Sequence, residues 1–182
     1  LETERAHLLA RAQDRQGLEG AVPGQGAHAL LPLPEVAAQA PVLVAGRLFP
    51  SGSPDRDDAA YLSQANALRA GHLTLPAASH DPFFLPFLSG VDGDRVVFKY
   101  QPAWPAVIAA SEALTGTPKT ALALTGVAST LAVAALAFEV TLRRRAALAA
   151  GFVFATSPWF LIQSGTYLAY PVSTALLCGA TA

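Results

Sequence analysis

Thr120-Ala-Leu-Ala-Leu-Thr-Gly-Val-Ala-Ser-Thr-Leu-Ala-Val-Ala-Ala-Leu-Ala-Phe-Glu-Val-Thr-Leu142 carries a single charge, Glu139, close to its end, and Arg143-Arg144-Arg145 follows at once. About 20 consecutive apolar residues cross the hydrocarbon core of a bilayer as a helix, so the stretch predicts a transmembrane helix. Ala146 to about Tyr167 predicts a second, and Pro171 to Ala182 begins a third. The three arginines then form a tight loop between the first two, and positive charge there favours the cytoplasmic side.

The composition agrees with that start. Of 182 residues, 52% are hydrophobic and only 14% charged, against about 25% charged in ordinary soluble domains. Mean hydropathy is +0.37. A net charge of −1 offers no basic face, which excludes a nucleic-acid binder. The single cysteine, Cys178, lies in an apolar run, so no disulfide framework or cysteine-rich metal site is available. Arginine outnumbers lysine ten to two and alanine is abundant, which fits a GC-rich bacterial coding sequence. Methionine is absent even at position 1, and the chain stops inside an apolar stretch. Both facts lead to the expectation of a fragment.

Working back from residue 119, residues 51–118 form a polar block, and residues 29–50 have the length of one further span, interrupted by Pro32, Pro34, Glu35, Pro41 and Arg47. Residues 1–28, of mixed charge and then rich in Gly, Pro and Gln, read as a polar N-terminal tail with a short helix over Leu1–Leu18. With the arginines cytoplasmic, the block 51–118 is an extracytoplasmic loop, provided that a helix over Pro102–Leu114 does not cross. That helix is expected to be re-entrant or interfacial, with Trp104 at headgroup level. The fold class is therefore an all-α integral membrane protein of the cytoplasmic membrane, multi-pass, with membrane lipids as its surroundings.

Inside the loop, Asp57 to Ala70 predicts a helix. Asp55 or Asp57 caps its start, Gly71 stands where a terminating glycine belongs, and Tyr61, Ala65 and Leu68 share one face. A hairpin follows over residues 83–100, with Phe83-Phe84-Leu85 and Arg95-Val96-Val97-Phe98 flanking Gly90-Val91-Asp92-Gly93-Asp94. Alternation puts Val96, Phe98 and Tyr100 on one side and Arg95, Val97 and Lys99 on the other.

Asp57-Asp58-Ala59-Ala60-Tyr61-Leu62-Ser63-Gln64-Ala65 resembles the acidic first-loop motif of C-type membrane glycosyltransferases (GT-C). The likeness is to the protein-mannosyltransferase and aminoarabinose-transferase-like group known as family 39. Lys99-Tyr100-Gln101-Pro102-Ala103-Trp104-Pro105 is similar to that group's Lys-Tyr-Pro-Pro-Gly-Trp-Pro segment, and Ser157-Pro158-Trp159-Phe160 to its Ser-Pro-x-Phe. The resemblance covers about Val42 to Ala182. It departs from the pattern at Asp58 for Glu, Gln101 for Pro and Ala103 for Gly.

The resemblance implies an N-terminal part of a GT-C-like helix bundle. The implied reaction moves a sugar from a polyprenyl-phosphate carrier to an acceptor hydroxyl or amine. A first-loop aspartate would be the general base, Asp57 first and Asp58 second, because a carboxylate at hydrogen-bond distance can take the acceptor's proton. The same two carboxylates would also serve simply to cap a helix and favour its dipole. Lys99, ending a strand at the membrane surface, is the expected ligand of the carrier phosphate, or else a snorkelling lysine. Tyr61, Gln64 and Tyr100 are expected to bind substrate or orient the base. His72, His80, Asp81 and the paired aspartates match no ligand spacing, so no metal or other cofactor is expected, a divalent ion being the one alternative. A non-enzymatic transporter or assembly component is the competing function. Against a transporter, Glu139 is the one acidic residue in the later apolar segments and lies near an end.

Overall fold

The apolar stretch that anchors the sequence folds into the longest helix. In the computed structural model, which describes residues 32–50, 55–77 and 85–182, Lys119–Thr141 is one uninterrupted helix of 23 residues. Leu142 ends it in the left-handed region (φ 53°), its N–H on the Phe138 carbonyl. In chain order the elements are α1 (Pro32–Arg47), α2 (Arg56–Arg69), β1 (Leu75–Pro76), β2 (Ser89–Asp92), β3 (Arg95–Phe98), α3 (Ala103–Thr115), α4 (Lys119–Thr141), α5 (Arg144–Thr156), α6 (Pro158–Ser164) and α7 (Tyr170–Thr181). The chain is mostly helical, with seven helices among the described residues. The N-terminal tail and the helix over Leu1–Leu18, together with His80, Asp81, Phe83 and Phe84, lie outside those residues.

Helix α4 is the hub. It packs against α1, α5 and α7, and α3 lies against both α2 and its N-terminal end. Only 28% of its most apolar 18-residue stretch is buried, and Leu124, Leu131 and Val140 point outward. The core helix of a soluble domain would be mostly covered. At about 1.5 Å per residue its 23 residues reach about 34 Å, enough for a hydrocarbon core of about 30 Å. Among the described residues α4 is the one straight helix long and apolar enough to cross a membrane.

The other two expected spans differ. Residues 29–50 yield α1, 16 residues with Pro41 inside, which at about 1.5 Å per residue is near 24 Å and short of a crossing. Residues 146–167 do not form one helix. Ser157-Pro158 breaks the stretch into α5 and α6, bent by 61°. The cause is local: Pro158 cannot donate to the preceding turn and biases Ser157 to extended backbone (ψ 135°). Ser157 Oγ then caps α6 by accepting the Phe160 N–H at 3.3 Å. The third segment starts where expected, as α7.

Proline and glycine also set how α1 meets α4. Pro41 has no N–H, so the Ala37 carbonyl loses its usual donor one turn on. Gly126 of α4 faces that carbonyl; a Cβ there would collide with the Ala37 oxygen and lie 2.8 Å from Pro41 Cγ. Small residues that let backbones approach are the usual device of helix contacts in lipid.

The hairpin forms, but tighter and later than expected. Its first described strand is β2, Phe83 and Phe84 lying outside the described residues, and Asp92 pairs with Arg95, leaving Gly93-Asp94 as a two-residue turn. Gly93 takes φ +61°, which such turns require. A short third strand, β1, joins the other edge of β3, giving the order β1-β3-β2. Trp104 is not presented to headgroups. It lies in the core, 6% exposed, beside Ile108, Leu122 and Leu168.

Candidate functional site

Helix α2 sets the geometry of the acidic pair. Asp55, in extended backbone, caps it by accepting the Asp57 N–H at 3.0 Å. That puts Asp57 and Asp58 in the first turn, where carboxylates complement the helix dipole. Successive helical residues point about 100° apart, and the two part accordingly.

Asp57 is half-buried and faces Tyr100, whose hydroxyl donates to Asp57 Oδ2 at 2.6 Å. Three residues of one α2 face hold this tyrosine. Asp57 takes its hydroxyl, Tyr61 stacks on its ring at 4.6 Å between centroids, and Gln64 Nε2 donates to its carbonyl at 3.3 Å. The spacing i, i+4, i+7 lines up one helix side. Donation to Asp57 pushes the Tyr100 phenol far above its ordinary value, with burial adding to it. Tyr61 is also raised, first by burial and then by the Asp57 charge.

Asp58 turns the other way and is 4% exposed. It lines a cavity of about 190 Å³ with Ala45 and Pro50 at the end of α1, Lys119 at the start of α4, and Gly165 and Tyr167 in the turn after α6. Gly165 makes the turn fit, since a Cβ there would lie 2.9 Å from Val44 Cβ and 3.2 Å from the Ala45 nitrogen. Burial, then the charges of Asp58 and Glu112, push the Tyr167 phenol up to about 12. Its carbonyl accepts the Trp104 indole N–H at 2.6 Å, which fixes the turn against α3. Arg69 and Glu112, paired at 2.7 Å, join α2 to α3 on the rim.

The expected site residues therefore divide. Asp57, Tyr61, Gln64 and Tyr100 come together. Lys99 does not join them. It is exposed, in the outward row with Arg95 and Val97, because an extended strand alternates sides and its neighbour Tyr100 takes the inward one. Lys99 thus stays outside that cluster, and the acid and lysine that line one cavity are Asp58 and Lys119. Sequence reasoning passed over Lys119, although it is the one basic residue between Lys99 and Arg143 and opens the apolar stretch. Among the described residues no three His, Cys, Asp or Glu side chains gather as metal ligands, and His72 is exposed beside β1 and Arg95.

No family model, curated protein or solved structure matches this chain.

Proposed function

We propose that the chain belongs to a multi-pass glycosyltransferase of the cytoplasmic membrane that uses a polyprenyl-phosphate sugar and has Asp57 as general base. The acceptor oxygen or nitrogen attacks the anomeric carbon. The bond from that carbon to the carrier phosphate breaks, its electron pair leaves on the phosphate, and the acceptor's proton passes to Asp57. A base in this role must lie within hydrogen-bond reach of the proton it takes.

The observation that carries the reading is the Tyr100–Asp57 hydrogen bond, made across 43 positions. It joins the acidic motif to the Lys-Tyr-Gln-Pro motif, the two segments on which the resemblance rests, and engages one carboxylate oxygen only. Helix α4 supports the membrane setting, with Lys119 and Arg143–Arg145 at its opposite ends. If the arginines lie in the cytoplasm, the acidic pair lies at the outer face.

The test is transfer by the intact protein in vesicles from a polyprenyl-phosphate sugar, comparing wild type with Asp57→Asn. Loss of about 10² or more in kcat is expected for removal of a general base. Wild-type turnover in Asp57→Asn would sink the reading. Cysteine labelling at position 57 from the cytoplasmic side would overturn the orientation.

A further inference from the structure

The chain has two lysines, and the one expected to meet phosphate faces away from the site. Lys119 is exposed as well, but it lines the cavity that Asp58 faces. Its Nζ reaches the end of α1, 4.0 Å from where a Cβ on Gly46 would stand. Among the described residues its ammonium has no ion-pair partner.

We infer that Lys119 binds the phosphate of a lipid-linked donor in the cavity it shares with Asp58 and Tyr167. The inference rests on the glycosyl-transfer reading and adds the residue that meets the leaving group. Position comes first: Lys119 is the first residue of the spanning helix, so with α4 across the bilayer its ammonium lies at the hydrocarbon edge, where lipid headgroups begin. Charge comes second. Thr117 Oγ1 accepts the Lys119 N–H at 3.3 Å, but the first turn of α4 holds no acidic residue, so the positive end of the helix dipole adds to the ammonium. Size comes third. At about 190 Å³ the cavity is below the ~300–1,000 Å³ of sites that enclose a whole small molecule. It admits a phosphate and its nearest substituents while the prenyl chain stays in lipid.

Asp58 gives the subsite a charge preference. Asp58 and Lys119 line the same cavity without forming an ion pair. A donor phosphodiester brings one negative charge, which Lys119 meets. When the glycosidic bond breaks, the phosphate gains a second charge as the acceptor's proton goes to Asp57. Lys119 stabilises that charge as it forms, and Asp58 then disfavours the product and promotes its release.

The experiment measures binding of polyprenyl phosphate and of uncharged polyprenol to the intact protein in vesicles, independent of transfer. The readout is the ratio of their dissociation constants, with circular dichroism confirming that each variant folds. Wild type is expected to prefer the phosphate. Lys119→Ala should lose about tenfold or more of that preference, as for a charge-assisted hydrogen bond. Lys119→Arg should keep most of it, and Asp58→Asn should increase it. An unchanged preference in folded Lys119→Ala overturns the inference, as does a loss in Lys99→Ala alone. Displacement by inorganic phosphate as effective as by polyprenyl phosphate would overturn the lipid carrier as the source. Failure of the enzyme reading looks different: the Lys119-dependent preference persists, yet Asp57→Asn transfers as well as wild type.

Discussion

Tyr100→Phe removes one atom from the candidate site and leaves nearly everything else in place. The ring keeps its stack on Tyr61 at 4.6 Å, and the Tyr100 carbonyl keeps its bond from Gln64. What goes is the 2.6 Å hydroxyl contact on Asp57. Hydrogen bonds to charged groups contribute about 1.5–3 kcal/mol. Asp57 is only half-buried, so water replaces part of the loss and the low end, about 1–1.5 kcal/mol, applies. Melting followed by circular dichroism should fall by about 2–5 °C for a chain of this size. Asp57→Ala should lose a similar amount, and the double variant little more than either alone, a coupling of about 1 kcal/mol. In transfer assays kcat should drop about tenfold, the equivalent of 1.4 kcal/mol, with KM nearly constant, because the base loses its orientation and the substrate contacts do not change. Additive melting shifts in the cycle would refute the contact. A full coupling with unaltered kcat would refute the catalytic role of Asp57 and leave it a structural tie.

The phenols give a second readout. Tyr100 ionises far above its ordinary value because it donates to Asp57, so near-ultraviolet phenolate titration of Asp57→Ala should show one tyrosine ionising at lower pH than in wild type. Tyr167 carries stability with a defined sign: its value is raised from 10.0 to about 12, so the folded state holds the proton longer than the unfolded chain. That contribution is complete below about pH 10 and disappears as pH rises towards 12; equilibrium unfolding across that window should lose less stability in Tyr167→Phe than in wild type. Gly126→Val drives a branched side chain into the Ala37 carbonyl and Pro41 and should cost about 1–3 kcal/mol by overpacking, read as a lower melting temperature; an unchanged value would show that α1 does not approach α4 this closely. Asp55→Ala removes the cap of α2 and should cost about 1 kcal/mol, with faster amide exchange in the first turn containing Asp57 and Asp58.

Legibility followed the range of the causes. The caps of α2, the Gly93 turn and the length of α4 depend on residues within a few positions of one another, and each could be read from residue type and spacing. The inward row of the hairpin was legible too, because Val96 and Tyr100 follow simple alternation. Illegible features depended on distant partners. Nothing local to Lys119 indicates that the end of α1 and the turn after α6 will close a cavity around it. Nothing local to Trp104 says that Tyr167 will accept its N–H; an aromatic beside a membrane segment has two plausible homes, and packing decided. Ser157-Pro158 is a different case. Its break signal is local, but the apolar residues on both sides predict a continuous helix.

The prolines of α1 show how a residue that weakens a helix alone can serve its packing against another. Pro41 removes a hydrogen bond from the α1 ladder, which in isolation argues against a span. Here the carbonyl it releases, Ala37, is covered by Gly126, so proline on one helix and glycine on the other form a matched pair. That close contact draws the C-terminal end of α1 towards the N-terminal end of α4, and the cavity of Ala45, Pro50, Asp58 and Lys119 opens where these ends meet. The acidic pair parts around α2: Asp57 is tied to Tyr100, while Asp58 faces the cavity that Lys119 of α4 also lines.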